Sequence, residues 1–267
     1  MANSKMIRRL QSRPTTPGAD RGQVPSAVQR YPEAFFLQVA QPFPLPMDDP
    51  TLFQEGIQDF ETFSTGEAGW AAVLTDTGTA TIITTDVGGV LQLTPSDGSV
   101  ADNDEAYVGS EDLGMILIDD KKTYVEARLR VIEGATDDQN VIFGLSSTYA
   151  ANTLQDAGAG PPANYSGAVF FKLDGGTVWN IETSLTSAQS TEALTNTVDT
   201  GEWVRLGIYW DGVQIQFYID GLPVGDPITA TANIPTAALG FVVGHKNGAI
   251  TTVEYLDVDY IRWIRER

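Results

Sequence analysis

The chain has 267 residues, enough for one core domain of roughly 200 residues plus an appendage, and its 26 glycines and 14 prolines allow many turns without marking a low-complexity chain. It has no cysteine, which excludes disulfides, thiolate metal sites and cysteine nucleophiles. A formal net charge of −19 repels nucleic acid and anionic membranes, and no run approaches the ~18 apolar residues of a membrane helix.

Residues 1–60 read as an extended arm and residues 61–267 as a sandwich domain. Met1 to Arg21 is basic without an apolar stretch, so a signal peptide is not expected and cytoplasmic synthesis is. Ser4 to Ser12 can form one short amphipathic helix, with Met6, Ile7 and Leu10 on one face, until Pro14 and Pro17 stop it. Met1 to Arg30 holds Lys5, Arg8, Arg9, Arg13, Arg21 and Arg30 against Asp20, a net of +5; the remainder holds 10 basic and 34 acidic residues, a net of −24. Pro42, Pro44, Pro46 and Pro50 then impose extended, polyproline-like geometry. Phe35, Phe36, Phe43 and Phe53 make this segment too apolar for a free tail. It suits an arm lying along a surface, either that of its own sandwich or that of a neighbouring subunit.

From Trp70 onward the pattern changes to short alternating runs. The expected strands are Trp70–Leu74, Thr79–Thr84, Val90–Thr94, Tyr124–Ile132, Val141–Leu145, Ala168–Leu173, Val178–Thr183, Trp203–Tyr209, Gln214–Ile219, Leu239–Val243 and Val253–Trp263. Asp174-Gly175-Gly176 and Asp211-Gly212 mark hairpin turns. No helical stretch separates the strands, which argues against parallel βαβ units and leaves an antiparallel sandwich or jelly roll. In Tyr124–Val131, Val125, Ala127, Leu129 and Val131 face one way and Glu126, Arg128 and Arg130 the other, giving one dry face and one wet or partner-facing face. Leu206, Ile208 and Trp210 alternate in the same manner.

Gly201-Glu202-Trp203 runs through an apolar strand to Asp211-Gly212 and on to Phe217-Tyr218-Ile219-Asp220-Gly221. This resembles the paired strands of laminin-G-like and concanavalin-A-like domains, including family 16 glycoside hydrolases, and Leu256–Trp263 resembles their final strand. The resemblance covers roughly residues 120 to 264 and implies a concanavalin-A-like antiparallel β-sandwich (jelly roll) with an extended N-terminal arm. Trp203, Trp210, Phe217 and Tyr218 are expected in the core.

The hydrolases of this fold resemble one another in a Glu-x-Asp-x-x-Glu strand that pairs a nucleophile with an acid/base. That spacing is missing here: Glu254, Asp257 and Asp259 stand in the wrong order, and the resemblance marks Asp259 as structural, so the chain is not expected to be an enzyme. His245, the only histidine, lacks a serine elbow and is expected in an exposed turn. No cofactor is expected; calcium, which many relatives of this fold bind at loop ends, has candidate ligands in Asp97, Asp102, Asp104, Glu105, Glu111 and Asp112, though a solvated acidic loop fits them better. The long, small and polar loop from Tyr149 to Ser166 suits contact with a partner or a glycan, and Asn164-Tyr165-Ser166 carries little weight as a glycosylation site without an export signal.

An acidic sandwich with a basic-tipped apolar arm is similar to virion proteins of tailed bacteriophages. The resulting expectation is a capsid decoration or cement protein located in the virion, a homo-oligomer. It would bind capsid protein and sister subunits through Lys5, Arg8, Arg9, Arg13, Arg21, Arg30, Phe35, Phe36, Phe43 and Phe53 and one sheet face, without nucleic acid or membrane. The alternatives are a lectin-like carbohydrate-binding module, on a tail fibre or cell surface, and a degenerate hydrolase.

Overall fold

A computed structural model describes residues 53–60, 63, 69–75, 77–83, 89–95, 104–110, 114–117, 120–134, 137–248 and 252–267. The strands among them are β1 (Phe53–Gln58), β2 (Trp70–Leu74), β3 (Thr79–Ile83), β4 (Val90–Thr94), β5 (Glu105–Ser110), β6 (Thr123–Ile132), β7 (Asn140–Ser146), β8 (Gly167–Lys172), β9 (Val178–Leu185), β10 (Ala188–Thr197), β11 (Trp203–Trp210), β12 (Ile215–Ile219), β13 (Leu222–Ile228), β14 (Gly240–Lys246) and β15 (Tyr255–Glu266). They form two antiparallel sheets. One has the order β13-β12-β11-β6-β15-β4-β3, with β1 also on β15; the other has the order β10-β9-β8-β7-β14-β5-β2. On the side of β15 away from β6, Leu256–Val258 pair with β4 and Ile261–Glu266 pair with β1. β1 lies before the expected domain boundary, yet it is built into the sheet.

The alternation read from the sequence holds. Val125, Ala127, Leu129 and Val131 of β6 and Leu206, Ile208 and Trp210 of β11 point between the sheets, with Val125 across from Ile208 and Ala127 across from Leu206. Facing them are Val141, Phe143 and Leu145 of β7, Phe170 of β8, Trp179 and Ile181 of β9, and Phe241 and Val243 of β14. Phe170 meets Phe217 edge-on at 5.0 Å between ring centres and Trp179 at 6.4 Å. Each such ring removed from water contributes about 1.5–3 kcal/mol. The turns form as expected: the Asp211 carboxylate accepts from the Val213 and Gln214 N–H groups, and Gly212, with no Cβ, takes φ +102°.

The outer face of the first sheet is drier than the alternation predicts. Glu126 is fully buried and accepts from the hydroxyls of Tyr124 and Tyr260 and from Arg262 Nη2, at 2.8, 2.8 and 2.7 Å. Beside it, Arg128 pairs with Asp259 and Arg130 with Asp257, each at 2.6 Å, and both guanidiniums lie 4.5 Å from the Trp203 ring centre. Trp203 and Tyr218 therefore belong to this outer face, while Trp210 and Phe217 belong to the core. Asp259 is structural, as the resemblance implies.

At one end of the sandwich the inward-facing register turns polar. Two residues beyond core positions Val131, Phe170 and Val243, and two before Val141 and Leu256, stand Glu133, Lys172, His245, Gln139 and Glu254; Asn247 follows His245. His245 is thus not in an exposed turn. It is fully buried within β14, because that strand runs three residues past its expected end. Gln139 Nε2 donates to its Nδ1, and its Nε2–H donates to the Leu93 carbonyl at 3.0 Å; burial pushes its pKa down to about 3, so the ring is neutral. Lys172, also fully buried, pairs with Glu133 at 2.8 Å and donates to the carbonyls of Asp137, Gln139 and Leu173.

Candidate functional site

Two openings stand at opposite ends of the sandwich, as the strand registers show. Ser146 pairs with Gly240 at one end, and Lys246 pairs with Asn140 at the other, where β9 and β10 meet at Val178 and Thr197. The opening at the second end is a cleft of about 550 Å³ lined by Trp179, Asn196, Asp199, Glu202, Trp203 and Asp220. Its aromatic rings are already committed: Trp179 is buried against Phe170, and Trp203 carries the two guanidiniums.

The opening at the first end is a groove of about 390 Å³, lined by Ser110, Ser146, Ser147, Thr148, Tyr149 and Gly240 among others. It lies where β5 and β7 end, β14 begins and the loop that follows β7 starts. Tyr149 rests on the sheet at Gly109, where a Cβ would stand 2.5–2.6 Å from three of its ring carbons, so only glycine admits the ring there. Gly240 lies as tight, since a Cβ would come 2.1 Å from the Ser110 carbonyl oxygen. The groove offers one half-buried aromatic ring, hydroxyls at Ser110, Ser146, Ser147 and Thr148, and no ionised lining side chain. Some of these hydroxyls are set by the fold. Ser110 Oγ accepts from the Phe241 N–H at 2.8 Å, and Ser146 Oγ donates to the Thr148 carbonyl at 2.6 Å.

The loop that carries Tyr149 is fixed from beneath. Lys246, pointing out of β14 and buried, donates to Asn152 Oδ1 at 2.8 Å, to the Leu154 carbonyl at 3.2 Å and to Asp156. Its other partner is Glu105 at 3.7 Å, whose carboxylate also accepts from the Asn152 N–H at 2.9 and 3.0 Å. Burial raises the Glu105 pKa; the Asn152 N–H and the Lys246 charge oppose that rise. Further along, Tyr165 donates to Glu182 at 2.8 Å, and Tyr165, Leu154, Phe171 and Val242 pack into a second apolar cluster on this outer face. Asp104 and Glu105, expected among the acidic-loop residues, are buried at the head of β5 instead; Asp97, Asp102, Glu111 and Asp112 lie outside the described residues.

Of the expected partner-binding residues, Lys5, Arg8, Arg9, Arg13, Arg21, Arg30, Phe35, Phe36 and Phe43 lie outside the described residues. Phe53 opens β1, its backbone across from Glu266. Phe53, the one described residue of the ten, does not line the groove. The sequence singles out the loop from Tyr149, but the groove also needs Ser110 and Gly240, more than a hundred residues apart, and only the pairing of β14 with β5 joins them. The one usable signal was the pair of glycines four apart, Gly240 and Gly244, on one strand face, which marks a face that something approaches closely.

No protein-family model and no curated protein matches the chain. Solved structures do. An endo-β-1,4-glucuronan lyase from the fungus Trichoderma reesei is similar at 12% identity over 78% of this chain and 94% of its own, with a TM-score of 0.54. A Bacillus licheniformis β-glucanase is similar at 13% identity over 78% and 97%, with a TM-score of 0.53. The carbohydrate recognition domain of Emp47p is similar at 14% identity over 80% and 97%, with a TM-score of 0.52. The fold is therefore a concanavalin-A-like jelly-roll β-sandwich. The expectation that the chain is not an enzyme is corrected here. Two of these three structures are enzymes, and one is a lyase, so the missing hydrolase motif removes one reaction and not catalysis as a class; at these identities the likeness is one of fold alone. None of the three is a virion protein, and of the arm on which that expectation rests only residues 53–60 are described.

Proposed function

We propose that the chain is a carbohydrate-binding, lectin-like protein whose glycan lies in the groove beside Tyr149. The observation that carries this reading is a tyrosine ring laid on Gly109 in a groove whose polar lining groups are hydroxyls. A sugar has apolar C–H faces and a rim of hydroxyls. An aromatic ring covers the first, and serine and threonine hydroxyls both donate to and accept from the second. An uncharged lining avoids the cost of desolvating a charge when a neutral sugar enters. The groove's volume suits a few sugar units, and the elements beneath it are set before any ligand arrives. The fold supports the reading at a coarser level, since it is shared with a carbohydrate recognition domain and with polysaccharide-cleaving enzymes.

The test is calorimetric titration of the full chain with a panel of neutral oligosaccharides, alongside an assay for newly formed chain ends. Tyr149→Ala is expected to weaken the best ligand at least about tenfold, which is ~1.4 kcal/mol. Thr195→Ala, in the cleft at the far end, leaves it unchanged. Binding by Tyr149→Ala equal to that of the parent, or no binding by the parent to any neutral glycan, overturns the proposal.

A further inference from the structure

Unsatisfied buried polar atoms concentrate at one place. Among the described residues, nine buried side-chain atoms lack a hydrogen-bond partner, and six belong to the polar layer: Glu133 Oε1, which has its ion pair with Lys172, and, with no such pair, Gln139 Oε1, Asn247 Oδ1 and Nδ2, and both carboxylate oxygens of Glu254. Gln139 and Glu254 are fully buried, and Asn247 is 1% exposed. Buried polar groups almost always find a partner in the chain, in ordered water or in an ion, so a cluster of this kind marks an occupant.

The fold brings the three together. Gln139 Nε2 donates to the carbonyl of Tyr255 at 3.1 Å, the residue next to Glu254. Asn247 stands one step past the Lys246–Asn140 pair, which puts it across from Gln139, and its N–H is anchored on the Asp104 carbonyl at 2.9 Å. The nearby cation cannot serve this cluster: the three N–H donors of Lys172 go to the carbonyls of Asp137, Gln139 and Leu173, and its charge pairs with Glu133 at 2.8 Å. Burial raises the Glu254 pKa; the Lys172 charge and the Gly134 N–H oppose that rise, but neither contact meets full hydrogen-bond geometry at the carboxylate. Glu254 also has Glu133 and Asp138 as like-charged neighbours. The layer thus offers four partnerless oxygens, from one carboxylate and two amides, with an excess of negative charge.

We infer that Glu254, Asn247 and Gln139 form a calcium site inside this end of the sandwich. The donors are all oxygen, which selects a hard cation. An irregular set of carboxylate and amide oxygens, completed by water, suits calcium, which takes six to eight oxygens in flexible geometry; magnesium demands a near-ideal octahedron. The ion compensates Glu254 and ties β14, β7 and β15 together where the hydrophobic core gives out. None of the three belongs to the acidic set expected from the sequence, of which Asp104 anchors Asn247 through its carbonyl, and the inference does not rest on the glycan reading, whose groove lies at the other end.

The experiment uses the full chain stripped with EGTA and desalted, then titrated with calcium chloride and separately with magnesium chloride, with thermal midpoints recorded in parallel. One calcium per chain is expected, with a midpoint gain of about 5 °C at saturation and a smaller gain with magnesium. Glu254→Gln keeps the shape and removes the charge, and Asn247→Ala removes one amide; each is expected to weaken calcium at least about tenfold. A stripped chain that shows no binding heat and a midpoint shift below about 1 °C overturns the inference. So does a calcium response unchanged in both variants, which places the ion elsewhere.

Discussion

Replacing Lys246 by methionine tests whether the loop that carries Tyr149 is fixed from beneath by one buried charge. The substitution keeps the stem and removes the ammonium. It leaves Glu105, 1% exposed, without its cation, and strips the Leu154 carbonyl and Asn152 Oδ1 of their donor. Breaking a buried pair from one side costs about 3–5 kcal/mol. Two features place this case at the low end: Glu105 keeps the Asn152 N–H, and the Asp156 partner is 61% exposed, so its share is screened. We expect a loss of about 3 kcal/mol, or about 6–12 °C in thermal midpoint for a domain of this size. Lys246→Met combined with Glu105→Gln removes both charges and is expected to regain about 1–2 kcal/mol. Because burial already raises the Glu105 pKa, loss of Lys246 raises it further, and the penalty shrinks as pH falls and the carboxylate takes up a proton. Denaturant unfolding of the parent, both single variants and the double variant supplies the cycle. A single variant within ~0.5 kcal/mol of the parent, or two changes that simply add, refutes the reasoning.

Glu126→Gln deprives at least one of Tyr124, Tyr260 and Arg262 of its acceptor and leaves a buried guanidinium without its counter-charge; unfolding experiments are expected to show a loss of about 2–3 kcal/mol. Gly240→Ala places a methyl 2.1 Å from the Ser110 carbonyl oxygen, which is backbone and cannot swing aside, so a loss of about 2–3 kcal/mol is expected together with weakened glycan binding. Burial raises the Glu182 pKa above 4.5 in the face of hydrogen bonds from Thr191 and Tyr165. A raised folded-state value means that its contribution is complete below the unfolded value and is lost as pH rises through the folded one. The parent is therefore expected to lose stability with rising pH above about 4.5, and Glu182→Gln to give a flatter profile when denaturation midpoints are compared across pH.

Strands with one wet and one dry face were legible, and β2 and β4 match their expected bounds. The strands that escaped are instructive. β10, read Ala-Gln-Ser-Thr-Glu-Ala-Leu-Thr-Asn-Thr, is an edge strand whose one buried residue is Leu194, so there was no apolar alternation to find. β13 carries Pro223 and Pro227, which count against a strand unless it lies at an edge, where this one lies. β5 begins with Glu105, and its acidic approach reads as a solvated loop until Lys246, far along the chain, is brought beside it. The same reason hid His245: a histidine next to lysine and asparagine reads as surface, and only the partners Gln139 and Leu93 make its burial tolerable. The groove was half legible, because the loop from Tyr149 is local and its facing wall is not.

The position of β15 bears on how the protein comes to be made. This strand lies between β6 on one side and both β4 and β1 on the other, so it joins the earliest described strand to the middle of the chain. A ribosome releases residues 53–254 before it releases β15, and until then the first sheet is split, with β6 and β4 each showing an unpaired edge. Pairings so distant in sequence are slow to form, and open strand edges recruit other chains. Synthesis therefore includes an interval in which the nascent protein is most exposed to misassembly, and a stop codon shortly before Tyr255 would make that interval permanent.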